Sequence, residues 1–153
     1  MSRKRENVRQ CKAIRQLIDD NKYTKALELI DAIPLEEVGS LDDLYRYAEL
    51  YEKAERMDKK KEIFYHIYHR THSRYMLNRL LRLTIRMGDM EEARELYFAY
   101  EVAGPITLDT FELRYLLAKA EGEPPERLIQ ILEELKKEEY TEEWGFRLAC
   151  LYS

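Results

Sequence analysis

Glycine and proline are scarce in this chain, with five and four copies in 153 residues. Gly39, Gly88, Gly104, Gly122 and Gly145 fall at or near predicted helix boundaries, as do Pro34, Pro105, Pro124 and Pro125. Breakers confined to boundaries leave long uninterrupted stretches, which argues for an all-helical fold. Cysteine is scarcer still: Cys11 and Cys150 lie at opposite ends and neither has a CxxC partner. A disulfide framework is not expected, and a reducing cytoplasm is the expected location. No apolar run approaches the length of a membrane span. The basic start, Met1 to Glu6, has no apolar core after it, so no signal peptide is expected. Also missing are a Walker-type glycine loop, GxSxG and HExxH, so the protein is not expected to be an enzyme. Neighbouring carboxylates such as Asp19-Asp20, Asp42-Asp43 and Glu142-Glu143 point different ways on a helix and read as solvated.

What is abundant is charge and apolar surface: 37% of residues are charged and 45% hydrophobic. The second figure allows a sizeable core, and the first suits exposed helical faces. The net charge of −4 hides a segregation. Residues 1–15 carry Arg3, Lys4, Arg5, Arg9, Lys12 and Arg15 against Glu6 alone, and residues 59–86 carry three lysines and five arginines against Glu62 alone. Segments 16–58 and 87–143 are acidic. Overall acidity speaks against generic nucleic-acid binding.

Apolar residues recur at helical spacing. Val8, Cys11, Ile14, Leu17 and Ile18 mark a first helix over about 5–20, and Ala26, Leu27, Leu29, Ile30 and Ile33 a second. Ser40 with Asp43, Ser73, Asp89 with Glu92, and Asp109 with Glu112 read as starts of later helices. Pro124-Pro125 opens the eighth, since a proline loses nothing in a first turn. Thr141 begins a ninth, with Trp144, Leu148 and Tyr152.

A local pattern also returns. Asn21-Lys22-Tyr23, Arg56-Met57, Gly88-Asp89-Met90 and Gly122-Glu123-Pro124 each separate two helices, and Tyr23, Met57, Met90 and Pro124 stand 34, 33 and 34 residues apart. Such a period denotes stacked helix pairs. Gly88-Asp89-Met90-Glu91-Glu92-Ala93, with Tyr97 following and Pro105 closing, resembles the turn of a tetratricopeptide repeat. Asn21 to Ala26 resembles the same turn, and Ala48 with Tyr51 and Ala149 with Tyr152 match first-helix positions. Lys60 and Arg127 occupy slots that the family gives to small residues, as do Ile14, Leu81 and Tyr115, so separated or tilted helices are expected there. The resemblance implies a right-handed α-solenoid of about four helix pairs (5–34, 40–70, 73–104 and 107–137) plus a final helix at 141–152, within one domain of 1–153. It also implies a protein-binding scaffold.

The face of the fifth helix is the main candidate site. Tyr75, Arg79, Arg82 and Arg86 stand at i, i+4, i+7 and i+11 and share one side. The resemblance places first helices along a concave groove, with Lys12, Arg15, Arg46, Lys53 and Tyr45 on equivalent faces. Guanidinium groups grip carboxylates in pairs of bonds, so the expected ligand is an acidic peptide segment or the C-terminus of another protein. The competing reading is a solvated face paired with Glu49, Glu52 and Glu112. The family's chaperone-binding clamp is absent, because Cys11, Arg15 and Arg46 stand where its lysines and asparagines would be.

His66, His69 and His72 are the only histidines. His66 and His69 are weak metal candidates, because zinc needs three or four converging ligands, and no metal or other cofactor is expected. Twelve tyrosines interleave with arginine, which keeps base stacking, and hence an RNA-binding repeat, as an alternative. A peptide-sensing regulator is the other. Trp144, Leu148, Leu151 and Tyr152 give the last helix an apolar side, so it caps the array, drives self-association, or marks a fragment of a longer array.

Overall fold

The computed structural model describes residues 2–138 and Leu151. Among these residues every regular element is helical and no strand occurs. The elements are α1 (Ser2–Asp19), α2 (Tyr23–Ala32), a 3-10 turn at Leu35–Glu37, α3 (Leu41–Lys53), α4 (Met57–Thr71), α5 (Arg74–Met87), α6 (Met90–Val102), α7 (Leu108–Ala120) and α8 (Pro125–Glu138). The expected helix over 141–152 lies outside the described residues, Leu151 apart. So do Trp144, Leu148, Cys150 and Tyr152. The protein divides into two compact units, Met1–His72 and Ser73–Ser153. In the first, α1 packs on α2 and α3 on α4; in the second, α5 packs on α6 and α7 on α8.

One backbone device makes all four pairs. Asn21, Glu55, Gly88 and Gly122 have φ of 59°, 59°, 84° and 79°, in the left-handed region. Each follows the first helix of its pair and ends it with two bonds. The left-handed residue's own amide reaches back three residues: Asn21 to the Ile18 carbonyl at 3.0 Å, Glu55 to Glu52 at 3.0 Å, Gly88 to Ile85 at 3.1 Å and Gly122 to Lys119 at 3.1 Å. The following amide reaches back five: Lys22 to Leu17, Arg56 to Tyr51, Asp89 to Thr84 and Glu123 to Ala118, at 2.8, 2.8, 3.3 and 3.1 Å. The recurrence in the sequence is the recurrence of this turn. His72, which follows α4, also has a positive φ of 50°.

In the first unit the core is built by Ile14, Ala26, Leu44, Tyr47, Ile63 and Phe64, all at most 2% exposed. Two residues expected inside are outside: Val8 is 52% exposed and Leu29 41%. The reason is geometric. A ten-residue α2 buries only Ala26 and Ile30 within its length, and Leu29 lies off that stripe. Lys60 is drawn in, not displaced. It is buried, with its ammonium 5.3 Å from the Phe64 ring centroid and 3.0 Å from Glu52 Oε1. Ile14 fills its small-residue slot fully buried.

In the second unit α5, which buries Met76, Leu77, Leu80 and Leu81, packs on α6, which buries Ala93 and Leu96. Leu81 is thus core as well, despite standing in a small-residue slot. Phe111, Leu132 and Leu135 close the α7–α8 layer, with Tyr115 and Leu151 packed against it. Arg74 latches α5 to the end of α6. Its Nε donates to the Tyr100 carbonyl at 3.0 Å, and its guanidinium lies 4.0 Å from that ring's centroid. A Cβ on Gly104 would stand 2.8 Å from Arg74 Nη1, so glycine gives the arginine its room. Helix caps follow the expected pairs at Ser40, which accepts from the Asp43 amide, and at Asp89, which accepts from that of Glu92. The start of α7 does not. Thr107 is its cap, with its amide donating to Thr110 Oγ1 at 3.1 Å, in place of Asp109 with Glu112.

Glu55 is the left-handed residue least suited to its role, because its Cβ crowds the backbone there. Glu55→Gly should raise stability by about 0.5–1 kcal/mol in denaturant unfolding, the relief of strain exceeding the entropy lost. Gly88→Ala should lower it by about 1 kcal/mol.

Candidate functional site

Helix α5 spends one side on the core and leaves the other for charge. Its buried residues are Met76, Leu77, Leu80, Leu81, Leu83 and Thr84. Tyr75, Asn78, Arg79, Arg82 and Arg86 occupy the remaining arc. Tyr75 is 64% exposed, and the Arg79 guanidinium stands 5.8 Å from its ring centroid. Arg82 is oriented by two neighbours. Its Nε donates to Asn78 Oδ1, one turn earlier, at 2.7 Å. Its Nη1 stands 3.6 Å from Glu112 Oε1 on α7, beyond a normal hydrogen bond. The four residues expected together on this helix therefore share one face, and Glu112 is the carboxylate beside it. Across on α7, Lys119 stands 5.9 Å from the Tyr115 ring centroid, so each of these helices carries a cation–aromatic pair.

The candidates of the first unit divide differently. Arg15 grips Asp43 with two bonds, Nε to Oδ1 at 2.9 Å and Nη2 to Oδ2 at 3.1 Å. The Asp43 side chain is only 3% exposed. The hydrogen bond to Asp43, then its charge, pushes the Arg15 pKa up. Arg15 thus ties α1 to α3. Lys12 and Arg46 are exposed and Tyr45 is half-buried. Sequence reasoning missed Asp43 as a partner because it read that residue as a cap signal and, beside Asp42, as a solvated carboxylate, whereas it is 2% exposed. The signal was available: an acidic residue one turn inside α3, facing a basic first helix.

A second polar cluster lies in the same unit, at a cleft of about 340 Å³ lined by Asp31, Pro34, Glu36, Tyr51, Lys59 and Glu62 among others. The Tyr51 hydroxyl donates to Asp31 Oδ1, and Arg56 Nη1 donates to Oδ2 at 3.0 Å. Burial raises the Asp31 pKa, but the bonds from Tyr51 and Arg56 outweigh it and leave the group below its ordinary value. Tyr51 is pushed up, first by burial and then by the bond to Asp31, so it stays a neutral donor. The cluster is internally compensated and links the end of α2 to α3 and the turn after it.

At the end of α4 and the residue after it, the rings of Tyr65, His69, Tyr68 and His72 lie in series, with centroids 6.3, 5.8 and 6.1 Å apart. His69 is therefore one rung of a ring ladder. His66 Nε2 is buried without a hydrogen-bond partner, and burial followed by the charge of Arg70 holds its pKa down. Among the described residues no group of three or more histidine, cysteine or acidic side chains is placed to hold a metal ion. Among those residues, too, no helix is long and apolar enough to cross a membrane. Comparison of the sequence and fold with protein-family models, curated proteins and solved structures finds no match.

The Asp31 cluster makes a pH prediction. A carboxylate whose pKa is depressed on folding contributes stability above its unfolded value, and that contribution is lost as pH falls through the folded one. Asp31→Asn should therefore lower the unfolding midpoint at neutral pH. It should also flatten the loss of stability below pH 3.8, the group's ordinary value. Urea titrations from neutral to strongly acid solution check this, and parallel curves for the two proteins would contradict it.

Proposed function

We propose that the helix pairs are tetratricopeptide-like, stacked as an α-solenoid, and that the protein is a scaffold binding an acidic peptide segment on the charged face of α5. The observation that carries this reading is the separation of the two sides of α5. Met76, Leu77, Leu80, Leu81 and Leu83 are buried, while Tyr75, Arg79, Arg82 and Arg86 form a continuous basic and aromatic arc. Asn78 supports it by holding the Arg82 guanidinium at its Nε, which leaves the Nη groups for a carboxylate. An arginine fixed in this way gains more from a carboxylate than a freely rotating one, since less side-chain entropy is lost. The exposed Tyr75 ring adds apolar contact area beside the charge. In the first unit Arg15 serves the fold, bonded to Asp43. The ligand is a protein or peptide, with no cofactor and no catalysis.

The ring ladder of α4 favours a second reading, single-stranded RNA stacking on Tyr65, Tyr68, His69 and His72. The two separate by assay. A fluorescent polyglutamate peptide should bind the wild-type protein, and Arg82→Glu should weaken it by roughly tenfold or more. Circular dichroism should be unaltered. Equal affinity in the two proteins contradicts the peptide reading. Oligouridylate that binds more tightly than the peptide, with a steep salt dependence, favours RNA instead.

A further inference from the structure

The two units use the same kind of link between first helices in opposite ways. In the first, Arg15 of α1 holds Asp43 of α3 by two bonds of 2.9 and 3.1 Å, on a carboxylate almost out of solvent. In the second, Arg82 of α5 meets Glu112 of α7 at 3.6 Å, with the two side chains 37% and 24% exposed. The first has the geometry of a paired guanidinium–carboxylate clamp. The second sets the same charges against each other across a longer and wetter contact.

The geometry points to Glu112 as a built-in competitor for the anion site at Arg82. This rests on the peptide-binding reading above and adds a specificity-determining residue to it. A partner carboxylate approaching the Nη edge of Arg82 meets a guanidinium whose Nε is already fixed by Asn78. It can form short bonds there, where the contact from Arg82 to Glu112 is long. Glu112 then sets a threshold. A single weak carboxylate does not displace it, whereas a segment with several adjacent carboxylates does, because linked carboxylates raise the local concentration of acid at Arg82. The pair is half-buried and its contact is long, so the competitor is weak enough to be removed and strong enough to be felt. The site is thereby tuned to clustered acid instead of to isolated charges.

The test is a fluorescence-anisotropy titration of polyglutamate against wild type, Glu112→Gln and Glu95→Gln. Glu95 is an exposed carboxylate on α6, so its loss changes net charge equally without touching Arg82. Glu112→Gln should bind roughly fivefold more tightly, the factor that about 1 kcal/mol supplies, while Glu95→Gln should match wild type. An N-acetylated single glutamate used as a competing ligand should displace the probe from Glu112→Gln at lower concentration than from wild type. Peptide bound by wild type with no gain in Glu112→Gln, or with the same gain in Glu95→Gln, overturns the inference and leaves the binding reading standing. No binding to wild type or to either variant overturns both.

Discussion

Four left-handed residues set the course of this polypeptide. A helix closed by such a residue and its two reach-back bonds turns its successor back against itself. Asn21, Glu55, Gly88 and Gly122 impose this on each of the four helix pairs. The apolar stripes then have one place to go. Each helix buries its stripe against its sequence neighbour, and the fully buried side chains, from Ile14 through Leu80 to Leu113, lie along those contacts.

Burial of one side decides where charge is left. First helices carry their cations on the arc not used by the core, and the next first helix in the same unit supplies a carboxylate. In the first unit that carboxylate is short, buried and doubly bonded, so Asp43 and Arg15 act as a tie. In the second the carboxylate is longer and wetter, so Glu112 leaves Arg82 with capacity to spare. Exposed ion pairs contribute little, whereas a carboxylate desolvated beside its partner is costly to separate from it. On the proposed reading, the difference in burial of the two carboxylates separates a structural arginine from a recognising one.

Much of this was legible in the residues. Helix number within the described region, the turn positions and the shared face of Tyr75, Arg79, Arg82 and Arg86 all follow from spacing, because spacing fixes direction on a helix. Glu55 was not legible as a left-handed residue, since glutamate is rarely found there and its position follows only from the repeat. The burial of Lys60 was not legible, because the sequence does not show that Glu52 receives its ammonium. Val8 and Leu29 were placed inside on periodicity alone, although a short α2 covers less surface than the pattern assumes. Arg15 was grouped with the binding arginines because its partner lies 28 residues away and only the folded unit brings them together.

The two arginine–carboxylate links differ in kind, and double-mutant cycles measure that difference directly. Arg15→Gln and Asp43→Asn make one cycle, Arg82→Gln and Glu112→Gln the other, both read by denaturant unfolding. A large coupling energy is expected in the first cycle and a smaller one, of at most about 1 kcal/mol, in the second. Equal couplings, or a larger one between Arg82 and Glu112, would contradict this.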